Sequence, residues 1–164
     1  MPSGSCCDRH ARRAAHELHE AGIVHRDMKP GNVLLADCGG GPLSDLGQTQ
    51  VLAPGVTVTG MGALPSVEFM EPDLLRGEAP ARASDVFSLG VTLHRVLTGR
   101  GMYGELPAHD PVLALRRVFT QPPRVDPDLE PGAAAVVRCA TAPRRADRPA
   151  ALELAELIDG LIGR

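Results

Sequence analysis

The chain contains one lysine, Lys29, against sixteen arginines. It lies in His25-Arg26-Asp27-Met28-Lys29-Pro30-Gly31-Asn32. Arginine presents a planar fork, whereas lysine carries a compact point charge on a flexible stem. A lysine kept in an arginine-biased chain suits a site that needs a point charge, such as one oxygen of a phosphate in transfer. Taken alone, Lys29 reads better as a surface lysine left by composition. The residues around it reverse that reading, because His-Arg-Asp-x-Lys-x-x-Asn fixes five residue types within eight positions.

This octet resembles the catalytic loop of protein kinases, and the lysine two residues after the aspartate is similar to the serine/threonine branch. Phosphoryl transfer needs little covalent help, so catalysis is mostly positioning and charge stabilisation. The resemblance implies that Asp27 accepts the proton of the attacking hydroxyl and that Lys29 neutralises charge on the moving phosphoryl group. It makes Asn32 a Mg²⁺ ligand, since an amide oxygen is a hard donor suited to that metal. His25 is read as a packed structural histidine. Arg26 beside Asp27 goes, in the family, with activation by loop phosphorylation. A phosphate on Thr57 or Thr59 would pair with Arg26 and order the loop; plain loop threonines are the alternative.

Three further motifs follow in the family's order. Asp45-Leu46-Gly47 is similar to Asp-Phe-Gly and implies that Asp45 is the main Mg²⁺ ligand. With Lys29 and Asn32 it would hold ATP. Cys38-Gly39-Gly40-Gly41-Pro42, in between, reads as a turn rather than a phosphate cradle, because no Gly-Lys-Ser/Thr follows. Phe69-Met70-Glu71-Pro72-Asp73 is similar to the Tyr-Met-Ala-Pro-Glu that closes an activation segment, here spanning 45–73. Glu71 replaces alanine, and Asp73 replaces a glutamate that in the family pairs with a distant arginine. Arg148 has the matching context, so a longer or water-bridged Asp73–Arg148 pair is expected. Ser66 falls beside the family's substrate pocket, or is an ordinary loop serine. Ser84-Asp85-Val86-Phe87-Ser88-Leu89-Gly90-Val91 is similar to the Asp-x-Trp-Ser-x-Gly helix, with Phe87 for tryptophan. The family role of Asp85 is to hydrogen-bond the catalytic-loop backbone; read without the family, Ser84 or Asp85 is a helix N-cap.

The expected fold is therefore mainly α, a protein-kinase-like C-terminal lobe with a short β-hairpin carrying the catalytic and metal-binding loops. Residues 1–7 read as a disordered tail and 8–164 as the lobe. The family's small lobe, with its Gly-rich loop and strand lysine, has no counterpart, and too few residues precede His25 to form it. Gly99-Arg100-Gly101-Met102-Tyr103-Gly104 matches Gly-x-Gly-x-x-Gly but follows a long apolar helix instead of a strand, so it reads as a linker. The expected function is ATP- and Mg²⁺-dependent phosphoryl transfer to serine or threonine of a protein, from an incomplete catalytic domain. The alternative is an inactive half-kinase that binds or scaffolds. A small-lobe chain or a missing N-terminal segment would be its partner. An aminoglycoside-type phosphotransferase shares the Asp and Asn logic but not Arg26, the activation segment or the Asp85 helix.

The elements that must position these groups follow from periodicity. Asp8 to Ala21 reads as a helix stopped by Gly22, and Val33-Leu34-Leu35 as a short strand. Gln48 to Ser66, rich in Gly, Thr and Pro, reads as a mobile loop. Ser84 to Leu97 is apolar on more than one face, as in a buried helix. Asp110-Pro111 opens a helix through Val118, with Arg116 and Arg117 on a solvated face. Helices over 132–140 and 149–162 close the chain. At 164 residues this is one domain with 43% hydrophobic residues but only 2% aromatics, so Leu, Val and Ala must build the core. A net charge of −3 gives no support for nucleic acid or a membrane surface as partner. No apolar run spans a bilayer, and there is no signal-peptide stretch. Cys6, Cys7, Cys38 and Cys139 lack zinc-site spacing, which fits a reducing cytoplasm.

Overall fold

The computed structural model describes residues 15–26, 28–30, 50–51, 64–107 and 109–162. The strand expected at Val33-Leu34-Leu35, the glycine run after Cys38 and the tail 1–7 lie outside them.

The described residues are mainly helical. Residues 15–20, within the first expected helix, form α1. It turns at Gly22, whose φ of 75° is left-handed and costs glycine nothing. β1 (Ile23–Val24) pairs antiparallel with β2 (Gln50–Val51), Ile23 opposite Val51. β2 falls where the sequence reads as loop. Its extended state depends on a partner strand far upstream, which local composition does not reveal. A 3₁₀ helix (Leu64–Phe69) then leads to α2 (Pro72–Leu75), with proline at its first helical position.

α3 (Arg82–Thr98) is the central helix. It begins two residues before Ser84, with Ala81 at the N-cap, so neither Ser84 nor Asp85 caps it. Ser84 instead reaches back from the first turn, and its Oγ accepts the Ala81 N–H at 3.1 Å. That leaves Asp85 on the inner side of the helix. Every residue from Ser84 to His94 is buried, as the all-round apolar pattern implies. Val96 and Leu97, read with that pattern, are about half exposed at 51% and 49%, because the helix runs past the core. It ends at Gly99 in the left-handed conformation, φ 70°.

α4 (Pro111–Thr120) is capped by Asp110, whose Oδ1 accepts the Leu113 N–H at 2.9 Å. α5 (Pro131–Ala140), a 3₁₀ turn (Arg145–Asp147) and α6 (Ala151–Ile162) complete the order. The core lies between α3, α5 and α6, where Val86, Phe87, Val91, Val137, Leu154 and Ile158 are buried with Met28. With so few aromatics, tight helix approach supplies the packing. A Cβ on Gly90 would lie 2.7 Å from Ala140 Cβ and 2.9 Å from Thr141 Cγ2. Gly90→Ala is therefore expected to destabilise by about 1–3 kcal/mol despite alanine's better helix propensity. Urea denaturation would show it as a lower midpoint; an unchanged or higher midpoint would refute so close a contact. No described helix is long and apolar enough to cross a membrane.

Candidate active site and the contacts that hold it

His25, Arg26 and Met28 of the octet are held from behind by α3. Asp85 is fully buried, and its carboxylate faces the chain just after β1. Oδ2 accepts the His25 N–H and Oδ1 the Arg26 N–H, both at 2.9 Å. His19, from α1, places Nε2 at 2.8 Å from Oδ2. Acceptor-only carboxylates can take several donors at once, which neutral residues of this size cannot. About two turns further along α3, Thr92 Oγ1 donates to the Met28 carbonyl at 3.1 Å. Both chain neighbours of Asp27 are therefore tied to the same helix, through an N–H before it and a C=O after it.

Arg26 adopts φ 70°, the one described non-glycine residue in the left-handed region. Such a conformation costs energy and persists only where surrounding bonds over-determine it. Asp85 supplies those bonds. The Arg26 side chain is partly buried, and its Nε has no hydrogen-bond partner among the described residues. Burial lowers the guanidinium's pKa, while the Asp85 charge pulls it back up. Lys29 is partly buried and His25 fully so.

Asp27, Asn32, Asp45, Thr57 and Thr59 lie outside the described residues. So does the side chain of Ser66, whose backbone belongs to the 3₁₀ helix 64–69. The described residues hold no group of three His, Cys, Asp or Glu that would bind a metal. The structure thus brings His25, Arg26 and Asp85 together, leaves Lys29 partly buried next to Met28 in the chain, and places Arg148 in a second cluster.

That second cluster corrects the expected Asp73–Arg148 pair. Arg148 bonds Glu71 instead, Nη1 to Oε1. Glu71 is fully buried and also receives Arg145 Nη2 at 2.8 Å and the Ser84 hydroxyl at 2.7 Å. Asp73 pairs with Arg76 at 2.8 Å on the surface. The reason is local geometry. Glu71 precedes α2 in an extended conformation and is one methylene longer, so it reaches inward. Asp73 sits in the first turn of α2 and meets its i+3 neighbour. Burial alone would raise the Glu71 pKa, but hydrogen bonds from Arg145, Ser84 and Arg148 hold it below the usual value. Arg148 also donates to the Ala83 and Ala142 carbonyls and lies 5.0 Å from the Phe87 ring centroid. The cluster clamps the end of the 64–75 segment onto α3 and the turn before α6.

His19, Glu71, Arg145 and Thr92 are the residues that sequence reasoning missed. Glu71 carried a signal, an acidic residue between apolar Met70 and Pro72, in the place where the related motif has alanine. The arginine pair Arg144-Arg145, far downstream, offered it a partner. His19 and Thr92 carried none, because their roles exist only through Asp85 and Met28.

Comparison with known proteins agrees with this geometry. The protein kinase domain profile matches residues 9–156. A serine/threonine-protein kinase PknK of Mycobacterium bovis is 39% identical over 142 residues, covering 84% of this chain and 12% of that protein. PknA of Mycobacterium tuberculosis is 36% identical over 122 residues, covering 73% of this chain and 27% of its own length. A probable serine/threonine-protein kinase of Corynebacterium efficiens is 33% identical, covering 82% and 22%. The chain thus spans between about an eighth and a quarter of these relatives. On this match and on the anchored octet, the chain belongs to the serine/threonine protein kinase family.

Proposed function

We propose that this chain is the catalytic large lobe of a kinase that phosphorylates serine or threonine of a protein substrate. The observation that carries the reading is the anchored octet: Arg26 N–H on Asp85 and Met28 C=O on Thr92, one residue either side of Asp27. Asp27 orients the attacking hydroxyl and takes its proton. Lys29 sets a point charge beside the transferring group. ATP with Mg²⁺ would supply the phosphoryl group and charge neutralisation. The donor set fits a hard cation, since Asn32 and Asp45 offer an amide and a carboxylate oxygen. Arg26, partly buried and incompletely bonded, is ready to receive a phosphate on Thr57 or Thr59. Ser66 would border the substrate pocket.

Lys29 is the chain's one lysine, so the second phosphate-holding lysine of the family must come from a segment outside these 164 residues. The test supplies it, as a small lobe fused to or mixed with this chain, and follows ATP-dependent phosphate incorporation into protein. Asp27→Asn should lower transfer by about 10²–10⁴-fold with the circular dichroism spectrum unchanged. Asp45→Ala should remove Mg²⁺-dependent nucleotide binding. Undiminished transfer by the first variant refutes the base assignment. Transfer to an aminoglycoside but not to protein would replace the substrate class.

A further inference from the structure

His94 is buried at 1% exposure near the end of α3, and both its ring nitrogens are bonded to backbone. Nδ1 lies 3.1 Å from the Arg100 carbonyl. Nε2 accepts the Asp126 N–H at 3.0 Å. A carbonyl can only accept and an amide N–H can only donate. The two bonds together therefore require the neutral ring with its proton on Nδ1. This imidazole fastens two loops to α3, residues 99–107 and 121–130. One further backbone bond, Arg124 N–H to the Met102 carbonyl at 2.8 Å, ties the same two loops to each other.

A proton on Nε2 would turn an acceptor into a donor facing another donor. The charged groups around the ring do not compensate for that. On α3, Arg95 is a like charge. On the 99–107 loop, Arg100 is another and binds the Asp126 carboxylate at 3.0 Å. On the 121–130 loop, Asp126 also accepts the Asp128 N–H at 2.9 Å, and the Asp128 carboxylate lies 3.8 Å from Arg100. From the 3₁₀ helix 64–69, Glu68 faces Arg95 at 3.7 Å. The Asp126 carboxylate is thus already engaged. Burial is the main cause that holds the His94 pKa below its usual value, against the Arg100 carbonyl and Asp126.

The same two loops line an open cavity of about 1010 Å³ with Glu68, Tyr103 and Arg124 on its walls. Among the described residues, Glu68 Oε1 and Tyr103 Oη are buried there without hydrogen-bond partners. We propose that His94 is an acid-sensitive staple: neutral, it holds the 121–130 loop on α3; protonated, it releases that loop and with it one wall of the cavity. The inference rests on the ring's two backbone bonds and stands whether or not the chain transfers phosphate.

Nuclear magnetic resonance of the 164-residue chain between pH 7.5 and 5.0 tests it. The His94 ring and the Asp126 amide are followed together, with His94→Gln as comparison, since glutamine can donate and accept but does not titrate in this range. The unfolded ring protonates near pH 6.5, so below that the closed state should lose roughly tenfold in its equilibrium per pH unit. Asp126 should lose hydrogen-exchange protection in step, while Leu154 in α6 does not. In the glutamine variant, Asp126 protection should not vary with pH. Asp126 protection that is unchanged while His94 titrates overturns the staple. So does an equal pH dependence in the variant. Should the variant fail to fold, the wild-type titration decides alone.

Discussion

Replacing Glu71 with alanine is expected to destabilise the fold by about 3–5 kcal/mol, the range for removing one partner of a buried ion pair. The loss would come less from the attraction itself than from what remains. Arg148, with a side chain 2% exposed, would keep its charge with no carboxylate to meet it. Arg145 would lose its bonds to both carboxylate oxygens, and the Ser84 hydroxyl would lose its acceptor. Asp73→Ala is the control. Its partner Arg76 is on the surface, so the change should stay within about 0.5 kcal/mol. Urea denaturation of the two variants decides between them, and a larger effect at Asp73 would restore the pairing read from the sequence. The acid dependence follows the same logic. The folded-state pKa of Glu71 is depressed, so its contribution is complete above the unfolded value of about 4.3 and is lost as pH falls through the folded one. Glu71→Gln should remove that part of the acid sensitivity.

Asp85→Ala should be comparably damaging, by about 3–5 kcal/mol, and should reach further into function. It strands the N–H groups of His25 and Arg26 and the imidazole of His19 in a site that excludes water. Arg26 then has no reason to keep φ 70°. If Asp27 is the base proposed above, that relaxation would misplace it, and a misplacement near 1 Å can cost about 100-fold in rate. Asp85→Asn keeps one acceptor oxygen but turns an amide N–H₂ toward donors, so it should fall between alanine and the wild type. Hydrogen exchange gives the direct readout. The His25 and Arg26 amides should lose protection while those of α5 and α6 keep it. Protection retained in the alanine variant would mean that the loop is held by something other than Asp85.

Much of this architecture is legible in the sequence because its signals are local. The octet around Lys29 needs no partner to be recognised. Asp110-Pro111 marks the start of α4 through one cap bond and one fixed φ, both within four residues. The buried helix reads from its apolar spread over 84–97, although its last turn leaves the core and its first turn begins earlier. Asp85 could be assigned to the loop backbone only through the family likeness, since the bonds it makes reach back 60 and 59 residues.

What the sequence by itself determined is the set of groups and their local frames: the octet, the helix starts, and a mainly helical fold without aromatic bulk. What only the tertiary structure decided is which charges meet. Glu71 and Asp73 are two residues apart and both acidic, and nothing local ranks them as partners for Arg148. The extended backbone before α2 turns one inward and the helix turns the other outward. Arg145, 74 residues from Glu71, then completes the clamp. The same holds for β2, which is a strand because β1 lies beside it, and for His94, whose ring serves two loops that meet only when the chain has folded. Long-range pairing is set by where the backbone brings side chains, and that information is distributed over the whole fold rather than written at either residue.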